Sequence, residues 1–454
     1  MTKSGPEDIL PLSPLQEGLL FHALYDEKGH DVYTVQVVLD LGGRLDVAAL
    51  RDSAAALLRR HANLRVGFLH PKQSRPVQVV SREVELPWAE ADLGGLGAAA
   101  RTAELERLQS AEKAHRFDLS RPPLMRFLLV RLGDGAYRLL CTFHHILLDG
   151  WSTSVLLGEL FELYGSGGDT AALPAVTPFR DHLAWLAGQD DSRAGKVWKQ
   201  ALEGVDAPTR LAPADPGRAV VHPEQLALEL TEAETEALSA RLRGRDLTFS
   251  TAVHGAWALL LAALTGRDDV TFGTVVSGRP PEVAGVERMV GMLINTLPVR
   301  MRIDPATPLA DALAGLQREH MELMPFQHLG MSEIHRLAGH SELFDTYVAF
   351  ENFPFDLESL RALAGELRID GFDVLDANHY PLCLVAHVFE GRLRLVLNYR
   401  PDLFEEAEVA VAGERLVRIL RTLVDEPDRP AGRIALLSDD ELRELGGGRT
   451  TDRV

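Results

Sequence analysis

The run Cys141-Thr-Phe-His-His-Ile-Leu-Leu-Asp-Gly-Trp-Ser152 constrains this chain more than any other segment. It closes an apolar, alternating stretch, and the alternation predicts a strand over 136–145. Successive side chains of a strand point to opposite faces. Tyr137, Leu139, Cys141, Phe143 and His145 therefore share one face, and Arg138, Leu140, Thr142 and His144 share the other. Only one of the two adjacent histidines can serve a given cavity directly. Ser152 is placed to cap a helix running through Tyr164, with Val155, Leu156, Leu160 and Leu163 as its buried stripe.

Helix and strand signals mix along the whole chain. Ser13 and Gln16 have the spacing of a capping box, and Pro14 suits a first helical turn. Residues 33–39 alternate like a strand, and Asp46 can cap a helix to about residue 61. Segments 124–131 and 136–145 read as strands paired around Gly133-Asp134-Gly135. The run Gly165-Ser166-Gly167-Gly168-Asp169 reads as a hinge. Beyond it, Thr231 with Glu234 forms a second capping box, and Ser250 precedes an apolar helix to Leu264. Strands are expected over 270–276, 293–302, 347–350, 367–374, 382–389 and 393–399, with a long final helix over 405–423. The fold class expected is α/β (α+β), in two comparable lobes.

The 454 residues leave room for two or three domains or two large lobes. The net charge of −19 argues against broad nucleic-acid binding, which needs a basic face. The two cysteines, Cys141 and Cys383, lie inside apolar runs and read as buried thiols rather than a disulfide. The first ten residues lack a signal-peptide core, and the most apolar helical run, 256–264, is too short to span a bilayer. A reducing cytoplasmic setting with no membrane partner is the expectation.

Histidine is the side chain best suited to accept or relay a proton near neutral pH. Gly150 permits a backbone approach that a β-carbon would block. Asp149, four residues past His145, is displaced for orienting that imidazole. A buried carboxylate needs a cationic partner, for which Arg60, Arg65 and Arg300 are candidates. Metal binding is disfavoured, because adjacent strand histidines diverge and no third ligand lies nearby. Serine-hydrolase chemistry lacks a G-x-S-x-G elbow. Gly95 to Ala100 fits a loose dinucleotide pattern, but no apolar strand precedes it.

His144-His145-Ile-Leu-Leu-Asp149-Gly150 resembles the HHxxxDG signature of chloramphenicol acetyltransferase-like acyltransferases. Other segments resemble motifs of one branch, the condensation domains of nonribosomal peptide synthetases, in that family's order. They are Leu12-Ser-Pro-Leu-Gln16-Glu-Gly-Leu-Leu-Phe21-His22, Arg60-His61-Ala-Asn-Leu64-Arg65, Phe179-Arg-Asp181-His-Leu-Ala-Trp185, Val290-Gly291-Met-Leu-Ile-Asn295-Thr296-Leu-Pro-Val-Arg300 and Tyr380-Pro381-Leu382. The resemblance runs from about Ile9 to Leu437. It implies two chloramphenicol acetyltransferase-like lobes in a V-shaped pseudo-dimer with a central tunnel. The N-terminal lobe would span 1–172 and carry HHxxxDG. The C-terminal lobe, with a floor loop and crossing strands, would span 173–437. Residues 438–454 would begin a linker to a following adenylation domain.

The resemblance also implies the chemistry. An upstream carrier protein delivers an acyl or peptidyl thioester on phosphopantetheine. A downstream carrier delivers an aminoacyl thioester, whose α-amine attacks the donor carbonyl. The domain itself binds no cofactor or metal, and works as a monomeric module of a larger synthetase. His145 matches the catalytic or positioning histidine, and Gly150 lies where a backbone N–H can approach the oxyanion. His144 and Asp149 match structural positions, with Asp149 paired to an arginine. Asn295, Ser277, Trp151 and Ser152 are tunnel or substrate candidates, with Ser277-Gly278-Arg279 opening the floor loop and Trp151 read mainly as packing.

Two segments depart from the pattern. Asn378-His379-Tyr380 stands where the last motif often carries an arginine, and Met324 to His328 only loosely resembles the sixth motif. The opening SPLQEGLLFH is similar to the branch that takes a D-configured donor. The alternatives are an epimerisation domain, which shares the histidine motif but uses one carrier, and an inactive relative that recruits a partner enzyme.

Overall fold

The computed structural model describes residues 5–25, 31–71, 74–171, 173–214, 221–352, 357–363, 367–376, 379–437, 441 and 443. Strands and helices are numbered below in chain order. The chain forms two compact units: Met1–Asp190 with Ser277–Asn295 and Phe353–His379, and Asp191–Val276 with Thr296–Asn352 and Tyr380–Val454.

The first unit holds strands β1 (Asp8–Pro11), β2 (Thr34–Gly43), β3 (Val66–Leu69), β4 (Val77–Val80), β5 (Trp88–Asp92), β6 (Met125–Gly133), β7 (Ala136–His144) and β12 (Leu367–Leu375). Its helices are α1 (Pro14–Tyr25), α2 (Val47–Arg60), α3 (Ala98–Ala114), α4 (Gly150–Gly165), α5 (Phe179–Ala187) and α11 (Leu357–Leu363). A five-stranded sheet runs β12-β2-β7-β6-β5, and a small one runs β1-β4-β3. β6 and β7 form the expected antiparallel hairpin, with Asp134 at φ 51° and both flanking glycines at positive φ. β7 also pairs antiparallel with β2, in a register that sets Thr34 opposite His144. Val38, Leu128, Val130 and Leu140 of this sheet pack with Leu93 and Leu105 as a core. A second cluster joins Phe179 and Leu183 of α5 to Val286, Met289 and Leu293.

The other unit holds β8 (Glu224–Glu229), β9 (Asp269–Val276), β10 (Asn295–Arg302), β11 (Thr346–Glu351), β13 (Leu382–Phe389) and β14 (Arg392–Tyr399). They form one sheet in the order β10-β9-β11-β13-β14-β8, parallel at β9–β11–β13 and antiparallel at β13–β14–β8. Helices α6 (Asp191–Ala201), α7 (Glu232–Arg243), α8 (Phe249–Thr265), α9 (Leu309–Leu323), α10 (Met331–Ala338) and α12 (Glu406–Asp425) complete it. Every residue of α8 from Thr251 to Leu261 is buried. Trp257, Leu260 and Leu261 pack with Phe272, Leu384, Leu397 and Leu416. Thr231 and Glu234 cap α7 reciprocally, as their spacing requires.

Several local expectations shift by a turn or less. α4 begins at Gly150, because Asp149 is extended (φ −96°, ψ 173°) and its carboxylate accepts from Ser152 N–H. Asp149, not Ser152, is therefore the cap. Likewise Thr248, not Ser250, caps α8. β7 ends at His144, and His145 opens the following turn. The run 165–169 lies inside the first unit, whose first segment continues to Asp190. The segments 277–295 and 353–379 return to that unit, which a single boundary near 172 does not describe. Asn378 lies outside the described residues, and of the tail 438–454 only Glu441 and Arg443 are among them. Both cysteines are buried free thiols, and burial pushes Cys141 up to about 12. Among the described residues, no helix is long and apolar enough to cross a membrane.

Candidate active site

The turn from His144 to Asp149 lies within the first unit and is tied down at nearly every peptide. His145 N–H donates to Tyr33 O at 2.7 Å, and Leu147 N–H donates to His144 O at 3.0 Å. Gln16, the N3 residue of the α1 capping box, donates from Nε2 to Ile146 O at 3.1 Å. Asn63 donates from Nδ2 to Leu147 O at 2.8 Å. A buried carbonyl left without a donor would cost about 1–3 kcal/mol, so these amides hold the turn in one conformation.

The two histidines meet different surroundings, with His144 closing β7 and His145 one residue beyond it. His144 is fully buried and points away from solvent. Its Nδ1 accepts from Ile146 N–H at 3.1 Å, and its Nε2 lies 3.1 Å from Asp31 Oδ2. One nitrogen accepts, so the other carries the proton and donates to Asp31. Burial pushes the Asp31 carboxyl up, but the His144 hydrogen bond, Tyr33 N–H and Arg116 outweigh it and hold the group below its usual value. Both ring nitrogens of His144 are thus occupied by protein partners.

His145 is only partly buried. Its Nδ1 lies 2.8 Å from Leu148 O. A carbonyl can only accept, so Nδ1 carries the hydrogen. In the neutral ring the lone pair is then on Nε2. The turn fixes the tautomer of His145 without a carboxylate at Nδ1.

Asp149 is almost fully buried. Its partner is Arg279, which donates from both terminal nitrogens at 2.9 and 3.0 Å. Oδ1 also caps Ser152 N–H at 2.8 Å, and Oδ2 accepts from Leu293 N–H at 3.1 Å. This corrects the expectation of Arg60, Arg65 or Arg300. Arg60 pairs with Glu159 at 3.0 Å, beside His61, and Arg65 pairs with Glu7 at 2.7 Å. Arg300 belongs to the other unit, where it grips Asp269 at 2.6 Å and Glu203 O at 2.7 Å. Those three guanidiniums are already spent on local partners. Arg279 comes from 130 residues away in sequence, and no periodicity signals that pairing.

The loop after Ser277 is bound to the start of α4 at further points. Ser152 is fully buried. Its hydroxyl donates to Gly291 O at 2.8 Å and accepts from Gly291 N–H at 3.0 Å and from Arg279 at 3.1 Å. Ser152 therefore braces the site and has no hydroxyl to offer a substrate. Trp151 donates to Glu287 O at 2.7 Å, and the Arg279 guanidinium lies over its ring, 5.0 Å from the centroid. Ser277 is exposed, and its carbonyl accepts from Arg279 at 3.2 Å. Gly278 has φ 59°, and a β-carbon there would meet Leu293 O at 1.7 Å, so only glycine fits this crossing. Asn295 is buried at the end of the returning segment. Gly150, exposed at the first helical position, has an N–H beyond the reach of intrahelical acceptors.

His182 of α5 is buried beside this pair, stacked on Phe179 and Trp185 at 5.7 and 6.0 Å. Burial first, then the charge of Arg279, pushes it down to about 4, against the pull of Asp149. Among the described residues no group of three His, Cys, Asp or Glu side chains could hold a metal ion.

Residues 6–446 match the Condensation domain family. The chain is 32% identical over 452 residues to surfactin synthase subunit 3 of Bacillus subtilis (strain 168), covering 98% of this chain and 35% of that protein. It is 30% identical over 458 residues to tyrocidine synthase 2 of Brevibacillus parabrevis, covering 99% of this chain and 13% of that protein. It thus spans about a third or less of the length of these curated relatives. The first condensation domain of the calcium-dependent antibiotic synthetase superposes with a TM-score of 0.79 at 22% identity, over 96% of this chain and 100% of that one. A four-domain nonribosomal peptide synthetase bound to AMP and glycine gives 0.81 at 20% identity, over 97% of this chain and 35% of that one. These likenesses bear out the mixed α/β, chloramphenicol acetyltransferase-like fold. The chain belongs to the condensation domain family, whose members in nonribosomal peptide synthetases are amide-forming acyltransferases.

Two outcomes follow from the site's electrostatics. Asp149→Ala leaves Arg279 buried and unpaired, which is expected to lower stability by about 3–5 kcal/mol in denaturant melts. An unchanged midpoint would mean the pair carries no such weight. His182, with a folded value of about 4 against roughly 6.5 in an unfolded chain, binds its proton first in the unfolded state. Its contribution is whole above about pH 6.5 and falls by up to about 3 kcal/mol as pH drops to its folded value. His182→Phe keeps the stacking and should flatten that part of a stability–pH curve. An equally steep curve in the variant would assign the slope elsewhere.

Proposed function

We propose that this domain transfers a donor acyl or peptidyl group from the phosphopantetheine of an upstream carrier protein to the α-amine of an aminoacyl thioester on a downstream carrier protein. The observation that carries the reading is His145, with Nδ1–H held by Leu148 O and Nε2 left as the basic nitrogen of a partly exposed ring. A free α-amine has a pKa of roughly 8, so an accessible fraction is already neutral near pH 7. That amine attacks the thioester carbon, forming a C–N bond and an oxyanion. As the tetrahedral species collapses, the C–S bond breaks. The nitrogen sheds its extra proton to Nε2 of His145, and the departing thiolate takes a proton back from the imidazolium.

The oxyanion is assigned to the backbone N–H of Gly150, at the positive end of the α4 dipole. Asp149 and Arg279 act one step back, by fixing where that N–H lies. His144 is assigned to the framework through Asp31. Asn295 and Ser277 are retained as substrate-side candidates. Trp151 and Ser152 are assigned to the brace, given their bonds to Glu287, Gly291 and Arg279. The substrates come as thioesters on carrier arms, so the domain needs no cofactor of its own. An adjacent adenylation domain, a cytoplasmic setting and a D-configured donor belong to the same reading. The last rests on the opening segment from Ser13 to His22.

His145→Ala is expected to cut amide formation between two loaded carriers by about 10²-fold or more, with the melting temperature within a few degrees of wild type. Wild-type turnover in that variant would remove His145 from the mechanism. The same assay run with D-, L- and glycyl donors should favour D, and preference for L would overturn the stereochemical part alone.

A further inference from the structure

Nε2 of His145 has a carboxylate beside it. Asp376 Oδ2 lies 3.6 Å away, just past hydrogen-bond distance. Asp376 immediately follows β12, which returns to the first unit and pairs with β2, setting Leu375 opposite Gln36. β2 is in turn registered to β7, which ends at His144. Two ladders therefore carry Asp376 to the histidine turn from more than two hundred residues downstream.

The side of the ring is what matters. A carboxylate that orients a catalytic imidazole does so at the nitrogen opposite the reacting one. Here that position is Nδ1, and Leu148 O already holds it at 2.8 Å. Asp376 sits instead on the reacting side. It is also the more open of the two, its side chain 47% exposed against 20% for His145. A carboxylate there is badly placed to orient the ring and well placed to meet a cation arriving at Nε2. The acceptor amine, with a pKa of roughly 8, arrives near pH 7 mostly as an ammonium.

We propose that Asp376 is a substrate-binding residue that holds the α-ammonium of the acceptor beside Nε2 of His145. This rests on the condensation reading above and names the group that recognises the acceptor's charged end. Lys113 of α3 belongs to the same neighbourhood. It is half-buried, and burial lowers its ammonium's pKa while the charge of Asp376 opposes that. Lys113 thus supplies a countercharge to Asp376, and the incoming ammonium adds a second.

The test is a binding measurement on the intact domain. The probes are an aminoacyl pantetheine in which an amide replaces the thioester, and its des-amino counterpart. Wild type should bind the amine-bearing probe roughly tenfold more tightly, with a margin that narrows as salt is added. Asp376→Asn should erase the margin while leaving the des-amino affinity unchanged, and Asp376→Glu should restore part of it. Equal affinities for the two probes in wild type would overturn the proposal without any variant. So would an Asp376→Asn domain that keeps the margin, or one that weakens both probes alike. Because the readout is binding, a domain that forms no amide with any donor would count against the proposed function, while the amine preference still decides the role of Asp376.

Discussion

The paired hydrogen bonds from Arg279 to Asp149 are the contact on which the rest of the site depends. Both side chains are almost wholly withdrawn from water. Burying either charge alone costs several kcal/mol, so the two stand together or not at all. The carboxylate is also saturated by Ser152 N–H and Leu293 N–H. One side chain therefore starts α4, anchors the returning segment 277–295 and ends the histidine turn. Bidentate guanidinium–carboxylate geometry has little angular freedom, and that rigidity passes to the backbone of Gly150.

The turn itself gains its precision from chain segments far apart in sequence. Gln16 reaches it from α1, Asn63 from the loop after α2, Tyr33 from the edge of β2, and Gly291 from the returning segment. Three of the short motifs that suggested the family are thus donors or acceptors to one six-residue stretch. Their residue types are dictated by that task. Gln16 needs both an acceptor for Ser13 N–H and a donor for Ile146 O, and a side-chain amide has both. The outcome for His145 is a ring whose tautomer is set by the backbone.

Much of this was legible in the chain. The capping boxes at Ser13–Gln16 and Thr231–Glu234 stand where spacing put them. The mixed α/β class and the Gly133–Gly135 hairpin followed from local pattern. The contacts that local pattern does not carry are the non-local ones. Arg60, Arg65 and Arg300, the sequence candidates for the cation beside Asp149, pair instead with Glu159, Glu7 and Asp269. Arg279, in the loop after Ser277, carries no sequence pattern that points to Asp149. The discontinuous units were equally hidden, because β12 looks like any other strand until its pairing with β2 is known. Asp376 carries no sequence signal at all. It matters only through a register set by two ladders.

The central claim is that the turn presents Nε2 of His145 as the unprotonated nitrogen. It can be measured directly from the imidazole ¹⁵N shifts of histidine-labelled protein, with His145 assigned by comparison with a His145→Gln sample. At a pH where the ring is neutral, the account predicts a protonated-type shift at Nδ1 and a bare-nitrogen shift at Nε2. The reverse pattern, with the hydrogen on Nε2, would contradict it, because Leu148 O would then face a lone pair and the ring could not take a proton on the side proposed for the acceptor amine.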